Sequence, residues 1–211
     1  MSEHADTSTA VRELEWPRRT ERLTLRPAEL EDAEALWAHR GLPEVGRWLG
    51  WHPVDRADWR DTYPEKHRDY LVVEHEGRVI GDLMLRIGDG WGQREVKSRT
   101  VGVQAELGWT FHPDAGGHGL ATEAVEALLV VCFDDLGLRR VEAGAFAANE
   151  PSWRLMERVG MRREGYSVQE SLHRELGWID GVLYALLAEE WRARIATGTG
   201  GEGSRITAAA S

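Results

Sequence analysis

The stretch AELGWTFHPDAGGHGLATEAVEALL, residues 105–129, decides the fold. Its first part alternates. Ala105, Leu107, Trp109 and Phe111 share one face, and Glu106, Gly108 and Thr110 the other, as in a strand buried on one side. HPDAGGHG then supplies turn chemistry, with Pro113, Gly116, Gly117 and Gly119. Beyond it the period becomes helical: Ala121, Ala124, Val125, Leu128, Cys132, Phe133 and Leu136 recur on one side, and Gly137 closes the strongest helix of the chain.

A strand, a glycine turn and a helix in this order form a physical device. Successive N–H groups point out of such a turn, and the first helical turn adds unpaired donors and a positive dipole end. With no side chains in the way, a pyrophosphate can sit on those amides. Glycines alone can also mean only a tight connection. Two nucleotide fingerprints are excluded: a Walker loop needs a Lys-Ser/Thr ending that is missing, and GGHGLA does not fit G-x-G-x-x-G in register.

Upstream, RLTLR (22–26) alternates as a strand and Pro27 stops it. ELEDAEALWAHR (29–40) is acidic early and basic late, with Gly41 after it, and reads as a helix. The Trp- and Pro-rich stretch 42–68 holds a short helix near Asp55 to Asp61 and is placed to cover a pocket. YLVVEHEGRVIGDLMLRI (70–87) reads as a hairpin about a Glu-Gly turn, and 88–99 as a polar excursion. Downstream come a strand at 139–147, a helix at 151–160 between Pro151 and Gly160, two further strands and a short terminal helix. The fold class is therefore α/β, a mixed sheet with helices on its faces. Residues 1–19 are expected to be a flexible tail, 20–195 one domain, and 196–211 a disordered Gly-rich tail.

The chain has 211 residues, 42% hydrophobic and 29% charged, and carries a net charge of −10. That balance argues against nucleic acid and anionic membrane as partners and suits a cationic substrate. One cysteine, Cys132, excludes a disulfide framework and a multi-Cys zinc site, and no metal is expected. No signal peptide or membrane-spanning run is read, so a cytoplasmic location is expected.

AELGWTFHPDAGGHGLATEAVEALL together with NEPSWRLMERVGMRREG (149–165) resembles the GNAT superfamily of acetyltransferases, and within it the RimJ/RimL-like branch. The resemblance implies a GNAT fold: a central, mostly antiparallel twisted sheet, splayed into a V and flanked by helices. It further implies acetyl-CoA in the gap between the strands ending at Phe111 and Ala147. The pantetheine arm would pair with Trp109, Thr110 and Phe111, and the pyrophosphate would rest on Gly117, His118, Gly119, Leu120, Ala121 and Thr122. Asn149 would contact the pantetheine and Ser152 would lie near the sulfur. This sequence departs from the family at Gly116, where Gln or Arg is common, at His118 for Arg or Lys, and at Met161 for an aromatic residue.

The reaction so implied is acetyl transfer to an amine acceptor, either a protein N-terminus or a small molecule. It needs a neutral amine, a polarised carbonyl and a protonated leaving thiolate. Met156 stands where much of the superfamily has an acidic Tyr, which leaves Ser152 as the acid. The alternative for Ser152 is a helix-start serine bonded to backbone. Glu106 is the first candidate base, against a merely solvated strand-face residue, and Glu170 the second. His112 and His118 suit exposure or binding better than base work, and Asp180 and Tyr184 read as structural. Of ten tryptophans, Trp37, Trp109, Trp153 and Trp191 fall in apolar patterns. Trp48, Trp51, Trp59 and Trp91 fall in irregular stretches, where they suit an acceptor pocket or a homodimer interface. A non-catalytic acyl-CoA sensor on the same fold, or a nucleotide-binding oxidoreductase domain, are the rival readings.

Overall fold

The computed structural model describes residues 7–198 and 207–208. Strands β1 (Arg18–Arg19), β2 (Leu23–Pro27), β3 (Tyr70–His75), β4 (Arg78–Gly88), β5 (Gln104–Phe111), β6 (Arg140–Phe146), β7 (Arg162–His173), β8 (Gly177–Leu187) and β9 (Thr207–Ala208) form one sheet. Its spatial order is β7-β8-β6-β5-β4-β3-β2-β1-β9. Every pairing is antiparallel except β5 with β6. The helices are α1 (Thr7–Arg12), α2 (Ala33–Arg40), α3 (Pro43–Gly46), α4 (Arg56–Lys66), α5 (Leu120–Val130), α6 (Glu150–Arg158) and α7 (Ala188–Ala196). None of them is long and apolar enough to cross a membrane, among the described residues.

The sheet has a core on each face. On one, Leu107 of β5 and Val141 of β6 pack with Leu128 of α5, Leu155 of α6 and Trp191 beneath them. On the other, Leu36 of α2 and Trp59 and Tyr63 of α4 pack on Tyr70 and Val72 of β3. The alternation of β5 is as the sequence indicates. Ala105 and Leu107 are buried in the larger core, with Trp109 and Phe111 packed against it. The Glu76–Gly77 turn of the β3–β4 hairpin has φ of 50° and 73°, the positive pair that a two-residue hairpin turn requires. Asp55 caps α4, its carboxylate accepting from the amides of Ala57 and Asp58.

Three expectations change. The segment 1–19 is not a tail from residue 7 onward: Val11 is 5% exposed in the core, and Arg12 donates to Ala28 O at 2.6 Å. A short helix with one buried apolar residue leaves no periodicity to read. Likewise the segment 196–211 includes Thr207 and Ala208, paired with β1, while 199–206 and 209–211 lie outside the described residues. The long helix is also not uniform. Beyond Val130 it continues as a π-helical segment over Val131–Asp135, a local widening that apolar periodicity does not reveal.

Candidate active site

β5 and β6 pair only at Gln104↔Arg140, Ala105↔Val141 and Glu106↔Glu142, and then diverge. His112 N–H donates to Ile80 O at 2.8 Å, which fixes the alternation along β5. Even-numbered residues bond β4, and Trp109 and Phe111 turn their N–H and C=O toward β6, where no strand meets them. On the far side Ala147 N–H bonds Asp180 O, so the backbone groups of Gly144 and the N–H of Phe146 face the same gap, while Phe146 C=O accepts Asn149 N–H at 2.9 Å. The result is a wedge with an unpaired polar edge on each wall.

At the end of β5 the chain turns through Pro113–Ala115 and reaches Gly117 at φ +81° and Gly119 at φ +76°. Gly119 is the N-cap of α5, with no side chain capping the helix. The amides of residues 117 to 122 bond no other group among the described residues; the first to do so is Glu123 N–H, to Gly119 O at 3.0 Å. These free donors and the helix dipole form a cradle that fits a pyrophosphate. A strand-like arm fits the edge at Trp109 and Phe111.

Two arginines that sequence reasoning missed flank the cradle. Arg22, just before β2, bonds His118 O at 2.9 Å through Nη1 and Glu123 Oε2 at 2.7 Å through Nε. Arg158 of α6 bonds the Thr122 hydroxyl at 3.4 Å. Both guanidinium groups stand beside the turn that carries His118, with Arg22 ion-paired to Glu123. Burial would raise the pKa of Glu123, but bonds from Thr20 and from the backbone and guanidinium of Arg22 outweigh it and hold the carboxyl below its ordinary value. That clamp ties the start of α5 to the edge of β2.

The other face of β5 carries a buried charge cluster, also missed. Asp82 of β4 is 0% exposed. It accepts from His39 Nε2 at 2.7 Å, Arg40 Nε at 2.9 Å, Arg40 Nη2 at 2.5 Å and the Thr110 hydroxyl at 2.5 Å. Burial opposes its charge, yet the charge of Arg40 and the bonds from His39 and Arg40 hold the carboxyl far below the usual range. The signal was an aspartate inside the apolar run VIGDLML, since a buried carboxylate requires partners.

Of the candidate acid and bases, Glu106 is exposed on the face opposite Ala105 and Leu107, at the last paired rung before the strands part. Glu170 is exposed in a bulge of β7, where pairing shifts between Ser167 and Ser171. Ser152 is half-buried in the first turn of α6 and its hydroxyl bonds nothing among the described residues, so the backbone-bonded alternative is not what the structure shows. Asn149, the N-cap of α6, likewise makes no side-chain cap bond. Met156 lies in the core at 1% exposed. The side chain of His118 is exposed, while His112 Nδ1 accepts the Asp114 amide at 3.2 Å. Asp180 Oδ1 accepts Gln169 N–H at 2.8 Å and Tyr184 OH donates to Glu157 at 2.9 Å, both structural roles. Trp59, grouped by sequence with pocket-lining tryptophans, is 0% exposed, because α4 turns it onto the sheet.

A GNAT acetyltransferase domain model matches residues 22–162, and the chain belongs to that family and is an N-acetyltransferase. It is 40% identical over 177 residues to the uncharacterized N-acetyltransferase YnaD of Bacillus subtilis, covering 82% of this chain and 97% of that protein. It is 28% identical over 183 residues to the putative ribosomal N-acetyltransferase YdaF of the same organism, covering 81% and 94%. Among solved structures, a GNAT-family acetyltransferase from Bacillus anthracis superposes with a TM-score of 0.69 at 28% identity, covering 82% of this chain and 99% of that one. Mycobacterium smegmatis RimJ, solved with CoA-disulfide, shares the fold at 24% identity, with a TM-score of 0.65 over 88% and 94%.

Proposed function

We propose that the protein moves an acetyl group from acetyl-CoA directly to a primary amine in the β5–β6 wedge. The observation that carries this reading is the run of free amides at residues 117–122, continuous with the unpaired edge at Trp109 and Phe111. The backbone there would hold the phosphates and the pantetheine, with Arg22 and Arg158 adding charge and Asn149 contacting the arm. The thioester then comes to rest near Trp109, with an amide of the β5 edge polarising its carbonyl.

Glu106, at the root of the wedge, accepts a proton from the ammonium, directly or through water. The amine nitrogen attacks the carbonyl carbon, the C–N bond forms, the C–S bond breaks, and the Ser152 hydroxyl protonates the leaving thiolate. A covalent acetyl-enzyme route is disfavoured: Cys132 is 0% exposed, and burial pushes its thiol well above the ordinary value. Titration with acetyl-CoA, followed by thiol release with a panel of amines, tests the proposal. Tight binding with turnover supports it. Binding without release for any amine would leave a sensor, and failure to bind CoA would remove the placement altogether.

A further inference from the structure

The wall of the wedge facing away from α5 is built from residues that sequence reasoning did not group. Val141 and Ala143 of β6 are in the larger core, so Glu142, Gly144 and Phe146 lie on the opposite face, beside Glu106 and Gly108. In β8 the partners of Gly144 and Phe146 are Leu183 and Gly181. The bulge of β7, with Gln169 at φ +48° and its amide held by Asp180, turns Glu170 over this face. A Cβ at Gly181 would meet Glu170 Oε2 at 2.9 Å, so the carboxylate lies on that glycine, one strand from Phe146.

An aromatic wall stands beside it. The Phe146 ring centroid lies 5.2 Å from His173 and 6.3 Å from Trp48, and Trp48 lies 5.5 Å from His173. His173 Nδ1 accepts the amides of Glu175 and Leu176, which leaves its proton on Nε2, donated to Arg47 O at 3.0 Å. Arg174 bonds the carbonyls of Gly46 and Leu49. The β7–β8 hairpin thus grips the loop after α3 and holds Trp48 over the end of β6.

Charge on this face is uneven. Arg86 is paired with Asp69, Arg140 with Glu142 and Glu164, and Arg47 with Glu175. Glu106 lies opposite Arg86 in the strand register and interacts with its charge without bonding it, and Glu170 bonds no cation among the described residues. The buried Asp82 carries its own arginine. Glu170 therefore stands without a bonded cation at one end of the face and Glu106 shares the field of Arg86 at the other, with the open Gly144 and the Met84-covered Gly108 between them and two half-buried rings at the mouth.

Resting on the proposed transfer in this wedge, we infer that the acceptor is a small cationic amine with an apolar ring body and no carboxylate. Its ring packs on Trp48 and Phe146, and its nitrogen reaches the gap between Gly108 and Gly144. The two residues from Phe146 to Gly144 span about 7 Å along the strand, the reach of an amine joined to a ring by two carbons. The Phe146 ring and the nearby carboxylates attract an ammonium, the Trp48 ring already carrying the Arg47 guanidinium at 5.1 Å, and Glu170 repels a carboxylate on the acceptor.

Phenethylamine and L-phenylalanine share ring and spacing and differ in the carboxylate, so they test the inference with acetyl-CoA and thiol release as readout. Phenethylamine is expected to have the higher kcat/KM, by about tenfold or more, from the like-charge penalty. Glu170→Gln should narrow the gap to about threefold, and Phe146→Ala should raise the phenethylamine KM about tenfold by removing the ring contact. Unchanged CoA affinity and melting temperature show that the variants fold. Equal or better use of phenylalanine by the native enzyme overturns the inference, as does turnover confined to other amines such as peptide N-termini. Absence of turnover with every amine overturns the proposed transfer itself, and this inference with it.

Discussion

On the α5 side of the wedge, what faces the gap is backbone: the amides of residues 117–122 and the open edge of Trp109 and Phe111. On the other side it is side chains, namely Glu106, Glu170, Phe146 and Trp48. The two sides answer to different constraints. An amide cradle needs glycines where φ is positive and little else, so it depends little on which side chain stands at 118. A wall of side chains changes its preference with every substitution. If the proposed transfer holds, the difference teaches that cofactor holding and acceptor choice can vary separately on one sheet.

The comparison breaks most sharply at Gly119. Gly119→Glu places bulk and negative charge in the cradle and strains a φ of +76°, so CoA binding measured by calorimetry should fall by more than about a hundredfold. An affinity within a few-fold of the native value would mean the phosphates lie elsewhere.

Asp82→Asn attacks the other side at its root. It leaves Arg40 buried without its counter-charge, and denaturant unfolding should show a loss of about 3–5 kcal/mol. Both Asp82 and Glu123 titrate below their ordinary values in the folded protein. Their stabilisation is therefore complete above the ordinary carboxylate range of about 4 and is lost as pH falls through the depressed values. Melting temperature against pH should decline below about pH 4, and Glu123→Gln should make that decline shallower. A native profile flat to the acid side would contradict both roles.

Glu106→Gln sharpens the comparison, since it should leave CoA affinity unchanged and lower kcat by about a hundredfold, the usual span for a general base. The deficit should be largest at low pH, where the free amine is scarcest, and an unaltered pH–rate profile would clear Glu106 of that role. Arg22→Ala should have the smallest effect, about a tenfold weaker CoA affinity that narrows as salt is added. A larger effect on amine KM than on CoA would place Arg22 on the wrong side of the comparison.

The strand, turn and helix at 105–130 were legible because each depends on near neighbours: alternation, glycine at positive φ, and apolar spacing. The candidate residues of the turn, 117–122, follow from that segment and their amides are free as such a turn requires, but Thr110 does not join the open edge, since its backbone bonds β4 and its hydroxyl bonds Asp82. Arg22 and Asp82 were not legible as parts of a site. Arg22 meets Glu123 across 101 residues of chain, and Asp82 meets Arg40 across 42. Trp59 was misread because a Pro- and Trp-rich stretch shows no period, although Asp55 starts a regular helix there.

What the sequence by itself determined was the backbone device, since glycine, proline and period act within a few residues of where they stand. What only the tertiary structure decided was the opposing wall. The β7 bulge lays Glu170 on Gly181, and the hairpin tip reaches 126 residues back to Arg47 to hold Trp48 in place. Such contacts arise from strand register and sheet order, which bring together side chains that no local pattern relates.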